Sequence, residues 1–220
     1  MIFVDLETTG TDPRAHGILA IGAIDFDNPE NQFYGECQVF AEASIDPESI
    51  PVSGFSIESM HDASKPTEKE LIKSFLDWTN SVNDITFGGE NPSFDRDFLR
   101  MACVRYKIDW PFAYRTVDLH SIAYARLTGE GKEIPIRNRH TNLGLDTMLS
   151  LTGLPRNPLP HNALRDAVLE AEVFSRFVLG KATDPGFELF PVPNSLKKES
   201  LKSQFLRCLS TKLWLYEAIF

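Results

Sequence analysis

Four carboxylates in this 220-residue sequence stand where a strand or a helix meets a loop. Asp5 and Glu7 lie two residues apart in an alternating, strand-like segment, so their side chains point to the same face. Asp95 and Asp166 each follow a helix-start signal and fall in the first turns of predicted helices. Carboxylate oxygens are suitable ligands for Mg²⁺ or Mn²⁺. Two such ions about 3.5–4 Å apart can serve both the attacking water and the leaving oxygen in phosphodiester cleavage.

A histidine adds a group that can move a proton. His161 lies five residues before Asp166, in a loop that contains Pro158 and Pro160. Imidazole can accept a proton at neutral pH, which is what a general base toward water must do. The pattern therefore offers both metal ligands and a base.

Each of these residues also has an ordinary explanation when it is taken singly. Most surface Asp-x-Glu pairs are solvated, acidic residues at helix N-termini are favoured by the helix dipole, and most loop histidines have no special role. Only their joint occurrence favours a catalytic interpretation. The other acidic residues near these segments are interpreted as structural or solvent-exposed: Asp97, Asp118, Asp146 and Glu170.

The elements that must position these groups can be read from periodicity and turn signals. Strand-like segments are 2–7, 18–26, 33–40, 85–87 and 116–119, and helical patterns cover 67–82, 92–101, 119–127, 143–151 and 162–178. Three strands followed by alternating strands and helices predict an α/β fold with a mixed sheet whose first three strands are antiparallel. Residues 129–141 are predicted to be a basic loop, and Lys132, Arg137, Arg139 and His140 in it are either phosphate contacts or merely solvated charges.

Three short segments, in this order, resemble the three motifs of the DEDDh 3′→5′ exonuclease family. They are DLETTG at 5–10, NPSFDRDFL at 91–99 and HNALRDA at 161–167. The family has an RNase H-like fold and includes the epsilon proofreading subunit of DNA polymerase III, RNase T and oligoribonuclease. The resemblance covers about residues 1–180 and implies hydrolysis of 3′-terminal phosphodiesters of DNA or RNA that releases nucleoside 5′-monophosphates.

The resemblance also implies roles for particular residues. Asp5, Glu7, Asp95 and Asp166 would bind two Mg²⁺ or Mn²⁺ ions, and His161 would be the general base. A tyrosine four residues before the last aspartate would indicate the DEDDy class, but that position is Asn162. By position in the motifs, the terminal nucleotide would contact four residues, of which Phe94 also fits a place in the apolar core: Leu6, Thr8, Thr9 and Phe94.

The end of the chain reads as a separate appendage. The exonuclease domain is expected to span 1–180, a proline-containing linker 181–194, and an amphipathic helix 195–220. Packing on the parent domain, dimerisation and binding of a protein partner are alternatives for that helix, and nothing in the family motifs matches it.

Composition limits the remaining choices. A net charge of −9 argues mildly against a protein that grips a long phosphate backbone, unless some carboxylates bind metal ions. The three cysteines are widely spaced and indicate reduced thiols in a cytoplasmic protein. No segment is apolar enough to predict a membrane span. The substrate is expected to be the 3′ end of a single-stranded nucleic acid, and the two rival functions are a partner-bound proofreading or processing subunit and an inactive nucleic-acid-binding module.

Overall fold

The computed structural model describes residues 1–183, 192–193 and 196. Five strands form one mixed sheet, in the spatial order third, second, first, fourth, fifth. They are β1 (Ile2–Thr8), β2 (Ile18–Asp25), β3 (Gln32–Glu36), β4 (Phe87–Gly89) and β5 (Thr116–Asp118). The first three are antiparallel, and β4 and β5 run parallel to β1. The predicted mixed α/β sheet is therefore confirmed, with β1 at its centre.

Helices cover both faces of the sheet. They are α1 (Ile50–Ser53), α2 (Ile57–Met60), α3 (Glu68–Thr79), α4 (Pro92–Tyr106), α5 (Leu119–Gly129), α6 (Leu145–Thr152) and α7 (Ala163–Phe174). The last of these continues as one π-helical segment, Ser175–Leu179. No helix in the described part of the chain is long and apolar enough to cross a membrane.

Several boundaries differ from those expected from sequence. The third strand was predicted over 33–40 but ends at Glu36. The backbone amide of Cys37 still donates to Leu19 of β2, whereas those of Gln38 and Val39 donate to the carbonyls of Pro66 and Met60 outside the sheet. The strand predicted at 85–87 lies at Phe87–Gly89. The basic loop contains a small hairpin of β6 (Ile136–Arg137) and β7 (His140–Thr141).

The predicted C-terminal linker and helix fall almost wholly outside the described residues. Apart from 181–183, 192–193 and 196, the linker 181–194 and the helix 195–220 lie outside the described residues. Cys37 and Cys103 are buried free thiols, as expected, and Cys208 falls outside that part.

The central strand sends alternate side chains into two different layers. Ile2, Val4 and Leu6 belong to the core beneath α3 and α4, whereas Phe3 belongs to the core that α5, α6 and α7 cover. Because side chains alternate along a strand, Asp5 and Glu7 share the face of Phe3. The sheet therefore aims both carboxylates toward α7.

The start of α7 lies directly on the sheet at this place. Gly22 of β2 pairs with Asp5 of β1, and a Cβ added to Gly22 would come within 2.1 Å of backbone atoms of Ala163 and Leu164. Only a glycine allows the helix backbone to approach so closely. This contact sets the height of Asp166 above the sheet.

We expect Gly22→Ala to lower the free energy of unfolding by at least about 1–3 kcal/mol, because overpacking must move the start of α7 away from β2. Denaturant melts measure the loss. Gly129→Ala is the matched control, since a Cβ there meets nothing within 4 Å and its stability should be unchanged or slightly higher. Equal stability of the two variants would contradict the inference that α7 packs against β2 at Gly22.

Candidate active site

Three of the predicted ligands meet at the end of β1. Single carboxylate oxygens of Asp5, Glu7 and Asp166 lie within 4.8 Å of one another. Glu7 and Asp166 are only 6% and 3% exposed, whereas Asp5 is half-buried. Such a spacing of oxygen atoms suits one divalent ion, so the structure brings together three of the four residues predicted to bind metal.

The fourth residue, Asp95, reaches the same region from α4. That helix starts directly after β4, where Asn91 adopts a left-handed conformation and Pro92 occupies the first turn. Asp95 is buried, and this burial raises the pKa of its carboxyl well above the ordinary value, although the backbone amides of Asp95 and Leu6 offset part of the effect. It lies outside the compact group of three, yet it is the strongest negative neighbour of Asp5.

The buried carboxylates disfavour each other's charge. Burial raises the pKa of Asp5 well above its ordinary value, and the charges of Asp95, Glu170, Asp166 and Glu7 raise it further. Burial, followed by the charge of Asp166, raises the pKa of Glu7 from 4.5 to about 8. A cation would relieve this repulsion.

Two buried carboxylate oxygens have no hydrogen-bond donor in the described part of the protein: Glu7 Oε1 and Glu170 Oε2. A buried polar atom without a partner costs about 1–3 kcal/mol, and more when it is charged. Hard oxygen donors that lack protein partners and face a negative cluster match the needs of Mg²⁺ or Mn²⁺. The residues present therefore fit a divalent-metal site.

Polar neighbours fix the position of Asp166. Its Oδ1 accepts a hydrogen bond from Asn157 Nδ2 at 2.9 Å. Burial raises the pKa of Asp166, and His161, Asn157 and Arg165 offset part of that effect. Asn162 caps α7 by accepting from the backbone N–H of Arg165 at 3.0 Å, as the predicted helix start requires.

His161 is held beside Asp166 by its own loop. Its Nδ1 lies 3.6 Å from Asp166 Oδ2, and its backbone N–H donates to the carbonyl of Val52 at 2.9 Å. The guanidinium of Arg165 donates to the carbonyls of Pro158 and Pro160, at 2.7 and 2.6 Å. The imidazole is 38% exposed, so it is both anchored and open to solvent.

A cleft of about 320 Å³ leads from the carboxylates along the end of β1. Among the predicted nucleotide contacts, Leu6, Thr8 and Phe94 line it, together with His161. Phe94 also packs against Phe98, with ring centroids 4.8 Å apart and the ring planes tilted by 47°, so it contacts both the core and the cleft. The remaining wall comes from the segment around α1: Asp46, Glu48, Ser49, Val52 and Ser53.

Thr9 does not line this cleft. Its side chain is fully buried, where the hydroxyl donates to the carbonyl of Ser44 at 2.7 Å and accepts from the N–H of Gly17 at 2.9 Å. Both hydrogen bonds hold the loop after β1. The Thr9 side chain thus stabilises the loop, and a contact between Thr9 and the terminal nucleotide stays a prediction.

Glu170, which was interpreted as structural or solvent-exposed, is not exposed. It is buried one turn after Asp166 on α7 and lines a second cleft, of about 350 Å³, with Asp5, Asp166 and His161. A spacing of four residues places two helical side chains on the same face, so the sequence contained the signal. The other three acidic residues take local roles: Asp97 pairs with Arg96, Asp118 caps α5, and Asp146 pairs with Arg156.

Comparison with known proteins gives a consistent result. A family model described as exonuclease matches residues 2–174. The 3′-5′ DNA exonuclease Cap18 of Escherichia coli is 29% identical over 178 residues, which are 79% of this chain and 88% of that protein. The PolC-type DNA polymerase III of Thermotoga maritima is 28% identical over 181 residues, 80% of this chain but only 12% of the polymerase.

The fold has solved counterparts. The nuclease domain of 3′hExo, described as a DEDDh family member bound to rAMP, superimposes with a TM-score of 0.62 at 17% identity. The match covers 83% of this chain and 92% of that domain. At this level of identity it establishes the RNase H-like exonuclease fold.

The raised carboxylate pKa values predict an unusual dependence of stability on pH. Between pH 4.5 and about 8 the folded protein retains a proton on Glu7 that the unfolded chain releases, so stability should fall as pH rises. The slope is about 1.4 kcal/mol per pH unit for each such proton. The pKa of Glu36 is lowered, so that carboxylate titrates below this range.

Denaturant melts in EDTA from pH 5 to 8.5 measure the slope. Mn²⁺ should flatten it, because the cation takes the place of the retained protons. Glu7→Gln should reduce the slope of stability against pH by about the contribution of one retained proton. A stability in EDTA that stays constant or rises over this range would contradict the assigned burial of charge.

Proposed function

The chain belongs to the DEDDh exonuclease family, and on that premise we propose that it hydrolyses the 3′-terminal phosphodiester of a nucleic acid and releases nucleoside 5′-monophosphates one at a time. The observation that carries the proposal is the meeting of Asp5, Glu7 and Asp166, with His161 beside Asp166, between two clefts that both include Asp5 and His161. A binding module without activity would not need these carboxylates and the histidine to lie close together. We therefore favour the enzyme over the inactive alternative.

The residues that would hold two divalent ions are Asp5, Glu7, Asp95 and Asp166. When bound, Mg²⁺ or Mn²⁺ supplies positive charge that favours ionisation of the attacking water and stabilises the leaving oxygen. The protein's own part is to fix the ligands: β1 supplies two of them on one face, and Asn157 and the Asn162 cap orient Asp166.

His161 is proposed as the general base. Its Nδ1 faces Asp166, which leaves Nε2 to accept a proton from water as the water oxygen bonds to phosphorus. The bond from phosphorus to the 3′ oxygen of the preceding nucleotide breaks, and that oxygen ends protonated on the shortened strand. Arg165 is a positioning residue, because its contacts with Pro158 and Pro160 set the height of the imidazole.

The cleft beside the carboxylates suits the terminal nucleotide. Phe94 and Leu6 offer apolar surfaces for a base, and the exposed side chain of Val52 on α1 forms another part of the cleft wall. Stacking on an aromatic ring is tolerant of base identity, which an enzyme that degrades any sequence needs. We propose single-stranded DNA as the preferred polymer, supported by the similarity to Cap18 over most of both chains.

The direct test uses matched DNA and RNA oligonucleotides labelled at the 5′ or at the 3′ end, incubated with Mg²⁺, Mn²⁺ or EDTA. We expect a 5′-labelled strand to shorten in single-nucleotide steps, a 3′-labelled strand to release labelled mononucleotide at once, and neither to change in EDTA. Asp166→Asn keeps the size and the Asn157 hydrogen bond but should reduce turnover at least about 10³-fold, since oriented metal ligands carry the reaction. Shortening from the 5′ end, internal cleavage or full activity of the variant would contradict the proposal.

A second variant separates the base from the metal ligands. His161→Gln should lower kcat by about 10²–10⁴-fold, which is the usual contribution of general base catalysis, and should leave the stabilisation by Mn²⁺ close to that of the wild type. His61→Gln is the control, because that imidazole caps α2 and lines neither cleft. Equal kcat values for both variants would remove His161 from the reaction.

A further inference from the structure

Glu170 is a carboxylate that the four-ligand scheme leaves without a task. It lies one helical turn after Asp166 on α7 and is only 3% exposed. Its Oε1 accepts a hydrogen bond from the backbone N–H of Glu90 at 3.0 Å, just after β4 ends. Its Oε2 is buried and has no hydrogen-bond partner within the described residues. One oxygen is therefore anchored and the other is unsatisfied.

The free oxygen lies at the last residue of β4, the strand that runs beside β1. A Cβ added to Gly89 would lie 3.0 Å from Oε2, so the glycine leaves room for this carboxylate at the end of the strand. Glu170 also lines the second cleft with Asp5, Asp166 and Glu90. Asp5 lines both clefts, whereas Glu7 lines only the first and Glu170 only the second.

The charges that act most strongly on Glu170 are negative. Asp95 is its strongest negative neighbour, and Glu90 and Asp166 also repel its charge. The guanidinium of Arg165 lies 3.5 Å from Asp166 Oδ1 and also donates to Asn157 and to the proline loop. A buried carboxylate with an unsatisfied oxygen in such surroundings requires either a proton or a cation.

We propose that Glu170 is a fifth metal-binding carboxylate, whose Oε2 contributes to an ion shared with Asp5 and Asp95, beside the ion held by Asp5, Glu7 and Asp166. The inference rests on the proposed function of the same site and extends it. The geometry distinguishes Glu170 from the first-turn ligands: it acts from the second turn of α7 and is oriented by the backbone of Glu90.

The alternative is that Glu170 is a protonated, neutral carboxylic acid with only a packing role. Glutamine mimics a neutral carboxylic acid in size and can still accept from the Glu90 N–H. Glu170→Gln therefore leaves a neutral structural role intact and removes a metal ligand. Glu30→Gln is the matched control, since that exposed glutamate lies in the turn between β2 and β3, at the opposite end of β1 from Glu7.

The test measures Mn²⁺ binding to the full chain without nucleic acid, by isothermal titration calorimetry and by the electron paramagnetic resonance signal of free Mn²⁺. We expect Glu170→Gln to weaken the binding of one ion by about 10- to 100-fold, the range for losing a group that supports a metal site. Glu30→Gln should bind as the wild type does. Melting temperatures in EDTA establish that each variant is folded.

Wild-type affinity and stoichiometry in Glu170→Gln would overturn the inference. If that variant does not fold, Glu170→Asp decides instead, because the shorter side chain keeps the charge but withdraws the oxygen, and unchanged Mn²⁺ affinity would again overturn it. Asp166→Asn distinguishes a failure of the role of Glu170 from a failure of the proposed metal-dependent function. Loss of binding in Asp166→Asn but not in Glu170→Gln refutes only the role of Glu170, whereas a wild-type chain that binds no Mn²⁺ refutes the proposed metal-dependent function as well.

Discussion

The rest of this structure depends on one constraint, the mutual repulsion among buried carboxylates. Asp5, Glu7, Asp95, Asp166 and Glu170 crowd one end of the sheet, and burial and neighbouring charge act in the same direction on Asp5 and Glu170. A folded chain tolerates such a group only where the surrounding core is rigid and where protons or cations relieve the charge. The same repulsion that costs stability produces a strong preference for divalent ions.

The fold provides that rigidity through its central strand. β1 has neighbours on both sides, so its residues cannot slip in register without exposing Ile2, Val4 and Leu6. The helix α7 is fixed against β2 by the close approach at Gly22. Two elements with little freedom thus carry the three carboxylates that lie closest together, and the proline loop that carries His161 is tied to α7 by Arg165.

Local sequence patterns were sufficient to predict most of the elements and the main carboxylates. Alternation predicted β1 and the shared face of Asp5 and Glu7, and the cap at Asn162 predicted the start of α7 and hence the place of Asp166. The capping box formed by Thr67 and Glu70 explains why the predicted helix begins there. These features depend on residues that are close along the chain.

Features that depend on distant residues were not predictable in this way. β3 ends early because the carbonyls of Pro66 and Met60 accept hydrogen bonds from the backbone amides that follow it. The Thr9 side chain faces inward because its hydroxyl donates to the carbonyl of Ser44. The burial of Glu170 was not predicted, because it depends on Gly89 and Glu90, 80 or more residues earlier. The four-residue spacing from Asp166 placed it on the correct face, but a glutamate on a helix is more often solvated.

The most direct test of the central claim, that these carboxylates form a two-ion site which receives a nucleotide phosphate, is anomalous diffraction from crystals soaked in Mn²⁺ and a nucleoside 5′-monophosphate. The account predicts two manganese peaks about 3.5–4 Å apart, one among Asp5, Glu7 and Asp166 and one between Asp5 and Asp95, with the phosphate against both ions and the base beside Phe94. Absence of manganese at these carboxylates, or a nucleotide bound elsewhere on the protein, would contradict it.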